Sequence, residues 1–239
     1  MSTSAIPPAH DAAGARSRTA TLATVGAAVL LAAAAPPQLA ASFRRWTQCP
    51  RFGDDGGASM CGLLEDHVFD YQSPSEPWTV IEGAAQLFGA GLVLVAVAVL
   101  VVTLGVARPR GALLWTSATV TAATFAFGGI HALVSGQLGT PSALSAWTAP
   151  VALLGQLAWI AWWGTTYVRA PLRALALLPT GLFTAGGDVV VYAVAPLFVG
   201  YSSYDTTPWS ESIPAYGAGL SALALLVTLV LRSGTTSAG

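Results

Sequence analysis

The sequence predicts an all-α, polytopic membrane protein built as a bundle of six transmembrane helices. Charged residues make up 9% of the 239 residues and apolar residues 54%, whereas charged residues are about 25% of soluble domains. The apolar residues form continuous runs instead of alternating with polar ones, which excludes an outer-membrane β-barrel. Backbone polar groups find no water inside a bilayer, so each run that crosses it must be helical.

Six apolar runs define the predicted spans, since crossing about 30 Å of hydrocarbon takes about 20 helical residues. The spans cover residues 20–42, 83–107, 111–135, 143–168, 174–200 and 213–231. Together they predict a membrane domain over residues 20–232. A disordered tail of residues 1–19 precedes it, a short tail of residues 233–239 follows it, and residues 43–82 form the one large outer loop.

The first run is the least typical of the six. Pro36 and Pro37 are expected to stop its helix after about 16 apolar residues, which is close to the length of the apolar region of a signal peptide. Cleavage would leave five spans and an outer N-terminus. Because Pro36, Pro37 and Gln38 stand where the small residues of a cleavage site belong, we interpret the run as a retained helix.

The arginines predict the orientation of the bundle. The turns at residues 108–110 and 169–173 carry Arg and no acid, so the positive-inside rule places them in the cytoplasm, together with both termini. Nine of the eleven acids then lie outside. All ten basic residues are Arg, and Ala and Gly are abundant. This usage indicates a high-GC bacterial genome, and the expected location is a bacterial plasma membrane.

The outer loop contains both cysteines of the chain, Cys49 and Cys61. An extracytoplasmic location is oxidising, so we expect a disulfide that closes this loop. Thiol–disulfide exchange is the functional alternative, but a redox relay needs a second cysteine pair to receive electrons, and the chain has none. A structural disulfide is therefore the favoured interpretation.

A second hypothesis for the outer loop is a divalent-metal site formed by His67, Asp66 and Asp70. On a helical turn His67 and Asp70 share a face, and Asp66 is spaced to meet Asp70. The spacing matches no metal-binding motif, and a solvated acidic loop explains the same residues.

The intramembrane hypothesis concerns Asp188, the one carboxylate in the interior of a predicted span. An acid at that depth is costly and marks a candidate functional site. His131, Gln86 and Gln156 are further polar residues within the spans. If spans two to five pack as one bundle, the four residues converge in its outer half as a ligand or proton site. A hydrogen-bonded network between closely packed helices is the structural alternative.

Three functions remain open at this point. The first is a non-enzymatic membrane protein that binds or moves a small ligand, proton or ion at the intramembrane site. The second is a scaffold or subunit of a membrane complex that acts through the outer loop, with a membrane-protein partner or a second copy of the chain. The third is a metal-assisted enzyme at the outer face. No cofactor is implied, and the expected partner is the lipid bilayer. A net charge of -1 argues neither for nucleic acid nor for an acidic partner, so no nucleic acid is expected.

Overall fold

The computed structural model describes residues 9–47, 63–106, 111–184 and 209–236, with side chains over residues 18–47, 63–106, 111–181 and 209–231. Within these ranges the regular structure is helical throughout, which confirms the predicted all-α class. The α-helices are α1 (Ala9–Trp46), α2 (Ala84–Leu104), α3 (Ala112–Leu138), α4 (Thr148–Arg169), α5 (Pro171–Thr184) and α6 (Ile213–Thr236). Short 3-10 helices lie at His67–Phe69, Ser145–Trp147 and Ser210–Ser212.

Four of the described helical segments are long and apolar enough to cross a membrane: Arg18–Trp46, Ala84–Leu104, Ala112–Leu138 and Ser210–Leu231. They correspond to the first, second, third and sixth predicted spans. The fourth predicted span corresponds to α4, and the fifth is described as far as the end of α5 at Thr184. Cys49, Cys61 and Asp188 lie outside the described residues, so the disulfide and the acid at Asp188 stay predictions.

The described helices pack in chain order into a ring. Each helix contacts the next one along the chain, and α6 returns to pack against α1. Interhelical hydrogen bonds join the end of α1 to the residues just before α2 and α6, and the start of α2 to the end of α3. We call this end, which the arginine pattern predicts to be extracytoplasmic, the outer end. Small residues, mainly alanine, fill much of the interior.

Helix α1 runs for 38 residues and passes through Pro36 and Pro37. The expectation that these prolines end the helix is therefore wrong. Proline removes a backbone hydrogen bond, but transmembrane helices tolerate it where neighbouring helices pack closely. Helix α2 approaches α1 at this level through Gly91, where an added Cβ would lie 2.9 Å from the carbonyl oxygen of Ala34. The helix also begins at Ala9, within the segment predicted to be a disordered tail.

Helices α2 and α3 cross at a glycine on each side. A Cβ at Gly129 would lie 2.7 Å from the carbonyl oxygen of Gly89, and a Cβ at Gly89 would overlap the carbonyl oxygen of Gly129. The two backbones are thus in direct contact, as small residues permit in membrane helix pairs. The neighbouring Gly128 faces a leucine side chain at an ordinary contact distance of 3.5 Å.

Arg173 on α5 ties together three helices at the opposite end of the bundle. Its side chain is buried, with Nη1 donating to the carbonyl of Gly105 at 2.8 Å and Nη2 to the carbonyl of Ala20 at 3.2 Å. Gly105 directly follows α2, where a cation interacts favourably with the helix dipole.

Replacing Arg173 by Met is expected to lower the free energy of unfolding by about 1–2 kcal/mol, because two backbone carbonyls lose a charged donor. This loss lies at the low end of the range for hydrogen bonds to charged groups, because Gly105 and Ala20 are partly exposed. Thermal or denaturant unfolding in detergent measures the change. Arg169→Met is the matched control, since Arg169 is exposed, and equal effects of the two substitutions would contradict the assignment.

Candidate functional site

A buried arginine lies at the outer end of the bundle. Arg45, in the last turn of α1, has a side chain with 0% exposure. Its Nε and Nη2 both donate to the carbonyl of Leu64, at 2.9 and 2.6 Å, and Nη2 also donates to the carbonyl of Asp66 at 3.0 Å. Nη1 donates to two carboxylates, described next. All five N–H donors of the guanidinium are therefore used.

Two carboxylates share the Nη1 nitrogen of Arg45. The Oδ1 atom of Asp70 lies 2.6 Å from it and the Oε1 atom of Glu211 lies 2.9 Å from it. Glu211 is almost fully buried, and its Oε2 accepts a hydrogen bond from the indole of Trp46 at 3.1 Å. The side chain of Asp70 is 35% exposed. The group of Arg45, Asp70 and Glu211, called the ion cluster below, thus brings two carboxyl groups to one guanidinium.

The ion cluster adjoins three buried polar side chains, and the amide of one of them, Gln38, has no hydrogen-bond partner within the described part of the chain. Gln38 and Ser42 lie one turn apart on the same face of α1, and both are fully buried. Tyr71 follows Asp70 directly and is also fully buried, with its hydroxyl facing Ser42 and its ring 5.8 Å from that of Phe88. Gln38 packs against Gly91, one turn further along α2. We call Gln38, Ser42 and Tyr71 the polar pocket.

The phenol of Tyr71 is kept protonated by its surroundings. Burial raises its pKa well above the ordinary value, and the nearby carboxylate of Glu211 raises the pKa further. Ser42 and Arg45 act in the opposite direction but do not cancel these effects. Tyr71 therefore presents a neutral hydroxyl that can donate a hydrogen bond and offer an oxygen lone pair.

The segment from Leu63 to Gly83 lies across the outer end and is held at several points. Besides the bonds from Arg45, Nη1 of Arg44 donates to the carbonyl of Glu82 at 2.5 Å. A ring nitrogen of His131, on α3, lies 2.9 Å from the carbonyl of Pro74, and the other lies 2.8 Å from the hydroxyl of Ser142. This part of the outer loop is packed onto the helices and covers the polar pocket.

The predicted intramembrane residues are only partly brought together. His131 is buried near the end of α3, and Gln86 donates to the carbonyl of Gly136 on the same helix at 2.6 Å. Gln156 is exposed on α4 and does not face the interior. Gln156 therefore does not join the other predicted residues in the interior, because α4 presents its side chain outward. Asp188 lies outside the described residues.

The residues of the predicted metal site have other roles in the described structure. Asp66 caps the short helix His67–Phe69 by accepting from the backbone of Val68, and its carboxylate lies 3.1 Å from Nδ1 of His67. Asp70 points instead to Arg45. Within the described ranges, no three His, Cys, Asp or Glu side chains are arranged to hold a metal ion.

The sequence alone does not reveal the ion cluster or the polar pocket. In the sequence, Arg45 and Glu211 are charged residues that flank apolar runs. Arg45 is 25 residues from Asp70 and 166 residues from Glu211 along the chain. One signal was present. Gln38, Ser42 and Arg45 recur at positions i, i+4 and i+7, which places them on one face of a helix if that helix continues past Pro37.

Comparison with known proteins found no match. No family model fits the sequence, and no similar curated protein or solved structure was found. The function is therefore inferred from the ion cluster and the polar pocket alone.

Proposed function

We propose that the chain is a non-enzymatic membrane protein that binds or moves a small ligand, proton or ion through the polar pocket. In this proposal it crosses a bacterial plasma membrane six times with both termini in the cytoplasm, and the pocket lies near the extracytoplasmic side, beneath the segment that covers it. The observation that carries the proposal is the buried amide of Gln38, which has no hydrogen-bond partner among the described residues and lies beside the facing hydroxyls of Ser42 and Tyr71.

Buried polar atoms are almost always satisfied by protein or by a bound species. An unpartnered group costs about 1–3 kcal/mol, and both polar atoms of the Gln38 amide, Nε2 and Oε1, have no partner among the described residues. The hydroxyls of Ser42 and Tyr71, which face each other, lie beside them. They supply both donors and acceptors, so they suit a small species that forms several hydrogen bonds or ion contacts. Their position beside buried charges is typical of ligand and ion pathways in membrane proteins.

The ion cluster supplies the charge of the proposed site and holds the cover over it. Arg45 binds the carbonyls of Leu64 and Asp66, both in the segment that covers the pocket. A change in the pairing of Arg45 would therefore act on the segment as well as on the pocket. Because the buried guanidinium of Arg45 binds the segment that covers the pocket, we propose that the small species enters from the outer side. Asp188 stays a further candidate from the sequence.

Replacing Gln38 by Met, which has a similar volume, tests the proposal through the sign of a stability change. If a bound species satisfies the amide, we expect the variant to unfold more easily by about 1–2 kcal/mol, because that species loses its contacts. If the amide is truly unpartnered, removing it stabilises the protein instead. The measurement is denaturant unfolding of the purified protein in detergent and physiological salt.

Gln156→Met is the matched control, because it makes the same substitution at an exposed amide on α4. Exposed positions without special contacts change the free energy of unfolding by no more than about 0.5 kcal/mol. A Gln38→Met protein as stable as the parent, or more stable, would contradict the proposed site.

A further inference from the structure

The end of the bundle opposite the outer end, called the inner end below, is strongly basic. Seven of the ten arginines belong to residues 1–19, 108–110, 169–173 and 232–239, the segments that the arginine pattern predicts to be cytoplasmic. Asp11 is the one Asp or Glu in these segments. A group of about four to eight arginines or lysines next to the cytoplasmic ends of membrane helices is typical of proteins that bind anionic lipid headgroups.

Contacts in the described structure bring two of these segments together. The buried guanidinium of Arg173 binds the carbonyls of Gly105 and Ala20, which joins the start of α5 to the end of α2 and to α1. Arg18 lies two residues before Ala20 on α1. Arg169, in the last turn of α4, lies four residues before Arg173. Arg18 and Arg169 therefore belong to segments that meet at one contact.

The guanidiniums of Arg18 and Arg169 are available to a partner outside the protein. Arg44, Arg45 and Arg173 all donate to groups within the protein. Arg18 and Arg169 are instead exposed, and no described residue accepts a hydrogen bond from either of them. A guanidinium presents five N–H donors in a planar fork, which matches two oxygens of a phosphate group. A phosphate-bearing partner therefore suits these two side chains.

The lengths of α1 and α4 place both arginines at the depth of the lipid headgroups. The apolar segment Arg18–Trp46 has 29 residues, which is about 43 Å at 1.5 Å per residue. A bilayer with its headgroup regions is about 40–45 Å thick, so Arg18 reaches the inner headgroups when Trp46 lies at the outer ones. Near Arg169, the ring of Tyr167 stacks on that of Trp163 at 5.4 Å and is 44% exposed. Aromatic rings of this kind are enriched at the headgroup level.

We infer that the inner end binds anionic phospholipids of the inner leaflet, with the exposed guanidiniums of Arg18 and Arg169 as the headgroup contacts. A lipid fits better than a free phosphate ion, because Val168 and Leu172 beside Arg169 are 84% and 43% exposed and suit contact with acyl chains. A zwitterionic headgroup fits less well, because it brings a cation close to the arginines. The inference does not involve the polar pocket, so it stands or fails separately from the proposed function.

The experiment measures the melting temperature of the full-length protein in an uncharged detergent at low ionic strength. The additions are phosphatidylglycerol, phosphatidylcholine with the same acyl chains, or inorganic phosphate. We expect phosphatidylglycerol to raise the melting temperature by several degrees, with a response that saturates, because a ligand that binds the folded state stabilises it. Phosphatidylcholine and inorganic phosphate should have much smaller effects. The response to phosphatidylglycerol should weaken as salt is added, since salt screens exposed charges.

Three variants locate the lipid contacts. Arg18→Gln and Arg169→Gln should each raise the half-saturating concentration of phosphatidylglycerol about fivefold, which corresponds to about 1 kcal/mol per arginine. Both side chains are exposed, so these variants and their combination should fold. Arg44→Gln is the matched control, because it removes the same charge from an exposed arginine at the outer end. It should leave the response unchanged.

Equal stabilisation by phosphatidylglycerol and phosphatidylcholine would overturn the inference. A response to inorganic phosphate as large as the response to phosphatidylglycerol would overturn it too, since the site would then take the free anion. A response that the combined Arg18→Gln and Arg169→Gln variant retains would mean that the lipid binds elsewhere. If Arg44→Gln weakened the response as much as Arg18→Gln does, the overall charge of the protein would explain the effect, and the inference would be wrong.

Discussion

Replacing Arg45 by Met is expected to lower the free energy of unfolding by about 3–5 kcal/mol, the range found when one partner of a buried ion pair is removed. The substitution leaves the buried carboxylate of Glu211 without its counter-ion. It also leaves the carbonyls of Leu64 and Asp66 without their donor. The covering segment should therefore loosen as the protein loses stability. Unfolding in detergent measures the first effect, and hydrogen exchange of residues 63–83 measures the second.

Arg44→Met is the matched control for Arg45→Met. The two arginines are adjacent in the last turn of α1, but Arg44 is exposed and donates only to the carbonyl of Glu82 among the described contacts. Exposed charges contribute about 0–1 kcal/mol, so the control should stay within that range. Similar losses for both variants would mean that the ion cluster is not buried as described.

Replacing Gly129 by Ala is expected to destabilise the bundle by about 2–3 kcal/mol, the upper part of the usual range for overpacking. The added methyl group would lie 2.7 Å from the backbone carbonyl of Gly89, and a backbone cannot rotate away as a side chain can. Helices α2 and α3 must therefore separate. We expect a lower melting temperature and a lower yield of folded protein.

Gly128→Ala is the matched control, because it makes the same substitution at the neighbouring glycine. Its methyl group would meet the Leu92 side chain at 3.5 Å, an ordinary contact. Alanine is also the better helix former by about 1 kcal/mol, so this variant should be as stable as the parent or more stable. If the two alanine variants behaved alike, the crossing point of α2 and α3 would lie elsewhere.

The elements that the sequence predicted well are those determined by local composition. The second and third spans, expected at residues 83–107 and 111–135, are helices at Ala84–Leu104 and Ala112–Leu138. Their apolar runs are uninterrupted, and a bilayer permits no other structure for such a run. The helix that was misjudged is α1, where Pro36 and Pro37 are strong local signals for an end. Packing against α2 overrides them, and packing is not visible in the local sequence.

The candidate site was predicted less well because its members come from distant parts of the chain. In the sequence, Arg45 is only a charge that flanks a span, since nothing local indicates that Asp70 and Glu211 approach it. Gln38 and Ser42 fell beyond the expected end of the helix. His131 was singled out correctly as a polar residue within a span, and its partners, the carbonyl of Pro74 and the hydroxyl of Ser142, again depend on the fold.

An experimental structure at a resolution that reveals ordered ions and waters tests the central claim most directly. In protein prepared with NaCl, we expect density for a bound species between the side chains of Gln38, Ser42 and Tyr71, within 2.2–3.2 Å of their oxygens, as hydrogen bonding or cation coordination requires at roughly these distances. The same preparation of Gln38→Met should lack it. A Gln38 amide bonded only to protein groups, with no density beside it, would contradict the account.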